Sequence, residues 1–304
     1  MTSPSPSASQ TFKNNELLIN YHDAVIYGWE LKLIERRTDW LNDSCIHFFF
    51  THLQQLYPLS KTTTVPPATR RPSFLFMDPS VVSFWMHQCV DRDEIDDFVN
   101  NTLFPGTGNV SDGTIFIAVN DKMSPKSSPI SLDSDWQVSG GGNHWSLLMI
   151  EVRKSGNEIS TRNLRFWHFD SIRNSGNLQA AQDIAAKISL HVYPGAPILS
   201  ATKSPKSDSN KTSGGMIHQA QTPQQENGYD CGVHVLGAAK ILSKHVSMAV
   251  NDNDIGSCDS QNCRPTDLEE CLRRDIGTIN PQNFCTILRN EISSEIRRIY
   301  KESK

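Results

Sequence analysis

Apolar residues along the chain recur at two spacings, and each spacing predicts its own kind of element. Within "WLNDSCIHFFFTHLQQLY", Ile46, Phe49, Phe50 and Leu53 stand at i, i+3, i+4 and i+7, which predicts a helix. Asn42 or Asp43 can cap it, and Leu41 with Ile46 makes a hydrophobic staple if Asn42 is the cap. "FLFM" at 74–77 predicts a short strand, and a helix follows with Asp78 at its cap and Pro79 in its first turn. "TIFIAVN" at 114–120, "HWSLLMIEVR" at 144–153 and "LRFWHFDSI" at 164–172 predict three more strands. A helix is predicted over 177–190, a strand over 216–223, and a helix from Cys231 to about Lys244. Phe284, Leu288, Ile292, Ile296 and Ile299 line one face of a C-terminal helix. The mixture predicts an α+β or α/β fold, a sheet covered by helices.

Stretches without periodicity interrupt this pattern. Residues 59–72, 121–143 and 201–215 are rich in Ser, Thr, Pro, Lys or Gly and predict loop insertions. Residues 250–265 are a weaker fourth example. Residues 1–12 predict a disordered Ser/Pro-rich tail. No gap is followed by a self-contained pattern, so 13–304 is expected to be a single domain with insertions.

Charge and composition exclude several classes. Lys and Arg total 29 against 33 Asp and Glu, a net −4 with no basic stripe, so no nucleic-acid partner is expected. No apolar run reaches the roughly 18 residues of a membrane helix, so no membrane partner is expected either. The opening "MTSPSPSASQ" lacks the basic and apolar regions of a signal peptide, which leads us to expect a cytoplasmic or nuclear protein. In a reducing compartment the seven cysteines (45, 89, 231, 258, 263, 271 and 285) should be mostly free thiols. Cys258 and Cys263 have no second ligand pair at zinc spacing, and HExxH, GxSxG and phosphate-cradling loops are missing. No metal or cofactor is expected.

One constellation carries chemistry. The strands 144–153 and 164–172 are joined by "KSGNEIS", short enough for a hairpin. A turn centred near residue 157 sets His144 opposite Asp170, close enough for a carboxylate to orient an imidazole. A lone cysteine is most often a packing residue. Cys231, however, follows the Asn227-Gly228 turn and opens a helix whose unpaired N–H groups and dipole favour a thiolate, the attacking species. Gly232 lets other groups approach that first turn. The Cys231 N–H and the Gln225 side chain, six residues upstream, can hold an oxyanion; Gln224 is the competitor that this spacing disfavours. His234, on the same helix as Cys231, is expected to pack.

"WLND" at 40–43, "GGNHWSLL" at 141–148, "WHFDS" at 167–171 and "PQQENGYDCG" at 223–232 resemble the SUMO/sentrin-specific, Ulp-type cysteine proteases. The order His, Asp, Gln, Cys is that family's order, and "TIFIAVND…GGNHWSLL" with "FDS" is most like its deneddylase branch. The resemblance covers most of residues 20–300. It implies a papain-like (adenain-like) fold with a central mixed β-sheet flanked by helices. It implies His144 as base, Asp170 as its orienter, Cys231 as nucleophile and Gln225 as oxyanion donor. It also implies that Trp40 and Trp145 clamp the Gly-Gly tail of a ubiquitin-like modifier, where flat rings admit glycine and exclude side chains. The implied partner is a Nedd-type modifier and its lysine-linked conjugates, with SUMO as the alternative, and the implied enzyme is a monomer. A non-catalytic modifier-binding module is the rival from another class, and an acetyltransferase a more distant one.

Overall fold

The computed structural model describes residues 11–57, 73–89, 91–99, 101, 113–124, 144–154, 162–173, 175–199, 216–251, 265–277 and 281–304. The chain begins with a hairpin of β1 (Leu17–Tyr21) and β2 (Ala24–Tyr27), then α1 (Gly28–Glu35) and α2 (Asp43–Leu56). There follow β3 (Ser73–Met77), α3 (Pro79–Gln88), α4 (Arg92–Phe98), β4 (Gly113–Asn120), β5 (Trp145–Lys154) and β6 (Arg162–Phe169). The remainder is α5 (Asn177–His191), β7 (Ile217–Ala220), α6 (Cys231–Asn251), α7 (Pro265–Gly277) and α8 (Pro281–Glu302).

The five strands β3 to β7 form one mixed sheet in sequence order. The pairs β3–β4 and β6–β7 are parallel and are joined through helices, as parallel neighbours require. The pairs β4–β5 and β5–β6 are antiparallel. Every residue of β4 is buried, which explains its unbroken apolar run: both of its faces are covered. Alternation along the strands sends Trp145 and Phe169 toward α6, while Ser146 and His168 face the start of α5. This is the expected α+β arrangement, with helices flanking a mixed sheet.

Local chemistry explains the boundaries. Asn42 caps α2 by accepting from the Cys45 N–H at 3.0 Å, and Asp78 caps α3 by accepting from the Ser80 N–H at 2.8 Å. The strand expected over 216–223 is shorter, Ile217–Ala220, because Thr222 and Gln224 turn away to bond the Asp170 carbonyl. The hairpin β1–β2, α1 and α4 have no counterpart in the periodicity of the chain; they are too short for a helical or strand period to stand out. Phe12, assigned to the tail by its sequence context, is buried: its ring packs edge-on against Tyr300 and under the Arg297 guanidinium, which takes its apolar area out of water. The insertions expected over 59–72 and 201–215 lie outside the described residues, as do 125–143 and 252–264; Asp121–Met123 is one turn of 3-10 helix, and α6 runs on to Asn251.

Candidate active site

The β5–β6 register differs from the sequence-based expectation by two residues. Leu147 faces Phe169 and Lys154 faces Arg162, so Asp170 comes level with Ser146 rather than with His144. A slip of two keeps every side chain on its face, whereas a slip of one would have reversed it. His144 and Asp170 are therefore diagonal neighbours just beyond the strand ends, and they still meet: His144 Nε2 and Asp170 Oδ1 are 2.6 Å apart.

Asp170 is held from several sides. Its Oδ1 also accepts from the Ile172 N–H at 2.8 Å, and the Ser175 hydroxyl donates to Oδ2. Its backbone N–H and carbonyl are both engaged by the Thr222 hydroxyl, and Gln224 adds a bond to the carbonyl. Burial pushes this carboxyl upward, but the hydrogen bonds from His144, Ser175 and Ile172 outweigh it and keep the pKa below the usual carboxylate value. His144 is fixed through its backbone. Asn177, wholly buried at the start of α5, donates to the His144 carbonyl at 3.2 Å, the Val119 carbonyl at 3.1 Å and Ser146 Oγ at 3.0 Å.

Cys231 is the first residue of α6 and is 1% exposed. Burial alone would lower the His144 pKa, but hydrogen bonding to Asp170 and Cys231, with their charges, raises it to about 9. His144 Nε2 lies on Asp170, and its buried Nδ1 has no hydrogen-bond partner among the described residues. The remaining described cysteines are also buried. Burial raises the pKa of Cys45, Cys89 and Cys271, and that of Cys285 to about 12. His234 is buried and its pKa is lowered to about 4, so it is neutral and packs.

The two glutamines separate by their bonds. Gln224 spends both amide N–H groups on the carbonyls of Asp170 and Thr222. Gln225 accepts from the Ser171 hydroxyl at 2.7 Å and donates one N–H to the Asn227 carbonyl at 2.5 Å, which leaves its second N–H. The Gln225 backbone N–H bonds the Ser171 carbonyl at 3.0 Å, so this loop is tied to the end of β6 beside Asp170.

Leu41 joins the tryptophans to the cysteine. Its carbonyl accepts the Trp145 indole N–H at 3.1 Å, and its side chain lies on Gly232, where an added Cβ would come within 3.0 Å. Gly232 is thus a close-approach glycine, as its sequence setting suggested. Trp40, beside Leu41, is 42% exposed, whereas Trp145 is 4% exposed. The two rings differ in setting: Trp145 is buried and bonded through its indole N–H, and Trp40 is exposed.

Sequence reasoning missed the groups that hold these residues: Asn177, Ser175, Thr222 and the buried pair Asp230–Arg289. The one signal for Arg289 was a charge set next to Leu288 on a helix with a strong apolar face. Among the described residues, no cluster of three or more His, Cys, Asp or Glu could hold a metal ion.

Residues 128–271 match the family model described as the Ulp1 protease family, C-terminal catalytic domain. The chain is 30% identical over 243 residues to a probable sentrin-specific protease 8 from Dictyostelium discoideum, covering 80% of this chain and 81% of the relative. It is 25% identical over 234 residues to NEDD8-specific protease 1 from Arabidopsis thaliana, covering 77% and 78%. A solved SUMO protease Ulp1 with its catalytic cysteine oxidised to a sulfinic acid matches with 14% identity and a TM-score of 0.43, covering 94% of this chain and 91% of that one.

Proposed function

The chain belongs to the Ulp1 protease family, cysteine peptidases for ubiquitin-like proteins, and from that premise we propose that it cleaves after the C-terminal Gly-Gly of a Nedd-type modifier, in precursors, in lysine-linked conjugates or in both. The observation that carries the reading is the His144–Asp170 bond of 2.6 Å beside the Cys231 thiol at a helix start.

In this reading the Cys231 thiolate attacks the carbonyl carbon of the terminal glycine. The oxygen takes up the negative charge and is held by the Cys231 N–H and the second Gln225 N–H. As the C–N bond breaks, the His144 imidazolium gives its proton to the leaving amine. The imidazole then takes a proton from water, whose hydroxide attacks the thioester. The C–S bond breaks and the thiolate is restored, with one proton of the water on His144, and the freed terminal carboxylic acid gives its proton to solvent. Asp170 holds the ring through Nε2 and steadies its charge. Trp145 forms the floor and Trp40 the wall of a slot that admits Gly-Gly. Similarity to a relative named as NEDD8-specific supports the Nedd-type choice.

The test is labelling with C-terminal electrophile probes built from Nedd, SUMO and ubiquitin, together with turnover of modifier–reporter fusions. Labelling by the Nedd probe and its loss in Cys231→Ala are expected. Labelling by SUMO alone would overturn the modifier, labelling of Cys231→Ala would overturn the nucleophile, and intact binding with zero turnover would leave a binding module.

A further inference from the structure

Arg289 lies on α8, 58 residues after Cys231, and is 2% exposed. A guanidinium so buried must place its N–H groups on acceptors, and here all three nitrogens are engaged. Nε and Nη2 reach Asp230 Oδ1 at 3.2 and 2.9 Å. Nη1 takes the carbonyls of Leu33 at 2.9 Å, Ile34 at 3.4 Å and Arg36 at 3.1 Å. Nη2 also takes the Asp39 carbonyl at 2.8 Å.

The identity of these partners matters. Leu33 and Ile34 end α1, where carbonyls lack helical donors, so Arg289 caps that helix. Asp39 immediately precedes Trp40, and Asp230 immediately precedes Cys231. The other Asp230 oxygen accepts from Asn227 Nδ2 at 2.8 Å, and Asn227 Oδ1 accepts the N–H groups of Tyr229 and Asp230. One guanidinium thus grips both the strand of chain that carries Trp40 and the turn that delivers the cysteine.

We propose that Arg289 is the positioning residue that locks the Trp40 wall to Cys231, fixing where a glycine tail lies relative to the sulfur. It touches neither substrate nor reacting atoms; it acts through Asp230 and the Asp39 carbonyl. Lysine cannot replace it, because a single ammonium cannot span a fork of acceptors. The proposal rests on reading Cys231 as the nucleophile and Trp40 as a wall of the tail slot.

The test is Arg289→Lys, which keeps a charge beside Asp230 and removes the fork, with folding checked by circular dichroism. Turnover of a modifier–reporter fusion should fall about 100-fold in kcat/KM, through both kcat and KM, because a misplacement of about 1 Å costs that much. Two readouts need no turnover. Iodoacetamide alkylation of Cys231 should shift its pH profile, and acrylamide quenching of Trp40, read as the difference from the matching Trp40→Phe protein, should rise. Unchanged alkylation and quenching in a folded Lys variant would overturn the proposal, whatever the turnover. If the Lys variant does not fold, the pair Asp230→Asn with Arg289→Gln, which leaves no unpaired charge, is held to the same criteria. A wild-type chain that cleaves no modifier fusion defeats the proposed activity instead, while alkylation and quenching still decide the role of Arg289.

Discussion

Asp170 accepts three hydrogen bonds at its carboxylate and donates its backbone N–H to the Thr222 hydroxyl, and together these hold the group that faces His144. With its charge removed in Asp170→Asn, kcat should fall by roughly 10⁴-fold, as loss of the orienting carboxylate does in hydrolytic triads. The pH behaviour follows from the same pair. The folded His144 pKa is raised to about 9, above an unfolded value near 6.5, so its contribution to stability is complete below about pH 6.5 and disappears as pH rises through about 9. The Asp170 pKa is lowered, so its contribution is present above the ordinary carboxylate range and is lost as pH falls through the lower folded value. Histidine NMR titration should find one imidazole near pH 9 in the native protein and return it toward the ordinary value in Asp170→Asn. An unmoved titration would break the link. The residue types of this site were legible in the chain because each sits in a local setting with chemical meaning: a cysteine after a turn, a histidine at a strand start, a glutamine across Asn-Gly. Spacing alone separates Gln225 from Gln224 in the chain; the bonds that occupy both Gln224 N–H groups, to the carbonyls of Asp170 and Thr222, are visible only in the fold.

At the scale of elements, the site depends on backbones that come unusually close. An added Cβ at Gly28 would lie 2.0 Å from the Lys13 carbonyl oxygen, where the incoming chain crosses the first turn of α1. Helix propensity favours alanine there by up to about 1 kcal/mol. The crossing should win, because a backbone atom cannot swing aside: Gly28→Ala should destabilise by about 1–3 kcal/mol, measured as a lower urea midpoint with an unchanged slope. An equal or higher midpoint would mean that the segment around Lys13 is free to move. Such contacts are invisible to periodicity. The long helices and the buried strands declared themselves because a 3.6-residue or continuous apolar pattern runs through "CIHFFFTHL" and "TIFIAVN". The β1–β2 hairpin and α1 did not: they are short, and within α1 Glu30 is a buried link that accepts from the Tyr27 N–H and from Asn42, where a glutamate reads as a surface residue in any apolar pattern.

For the whole molecule, Trp40, His144, Asp170 and Cys231 come from far-separated parts of the chain, and Arg289 ties the first segment to the last. No partial fold can assemble them. Turnover and far-UV circular dichroism should therefore be lost at the same urea concentration, and activity lost at distinctly lower urea would show the site loosening ahead of the fold. The sequence by itself determined the setting of Cys231 at a helix start, the sheet and its covering helices, and that His144 and Asp170 lie on neighbouring strand ends, because all of these follow from local patterns and a short hairpin. Only the tertiary structure decided the register of that hairpin, the unequal exposure of Trp40 and Trp145, and the acceptors of Arg289. Register slips by two leave the apolar pattern unchanged, exposure depends on which segments pack above a ring, and a buried cation's acceptors lie from 59 to 256 residues away in the chain. Those are energies between distant segments, and no local pattern encodes them.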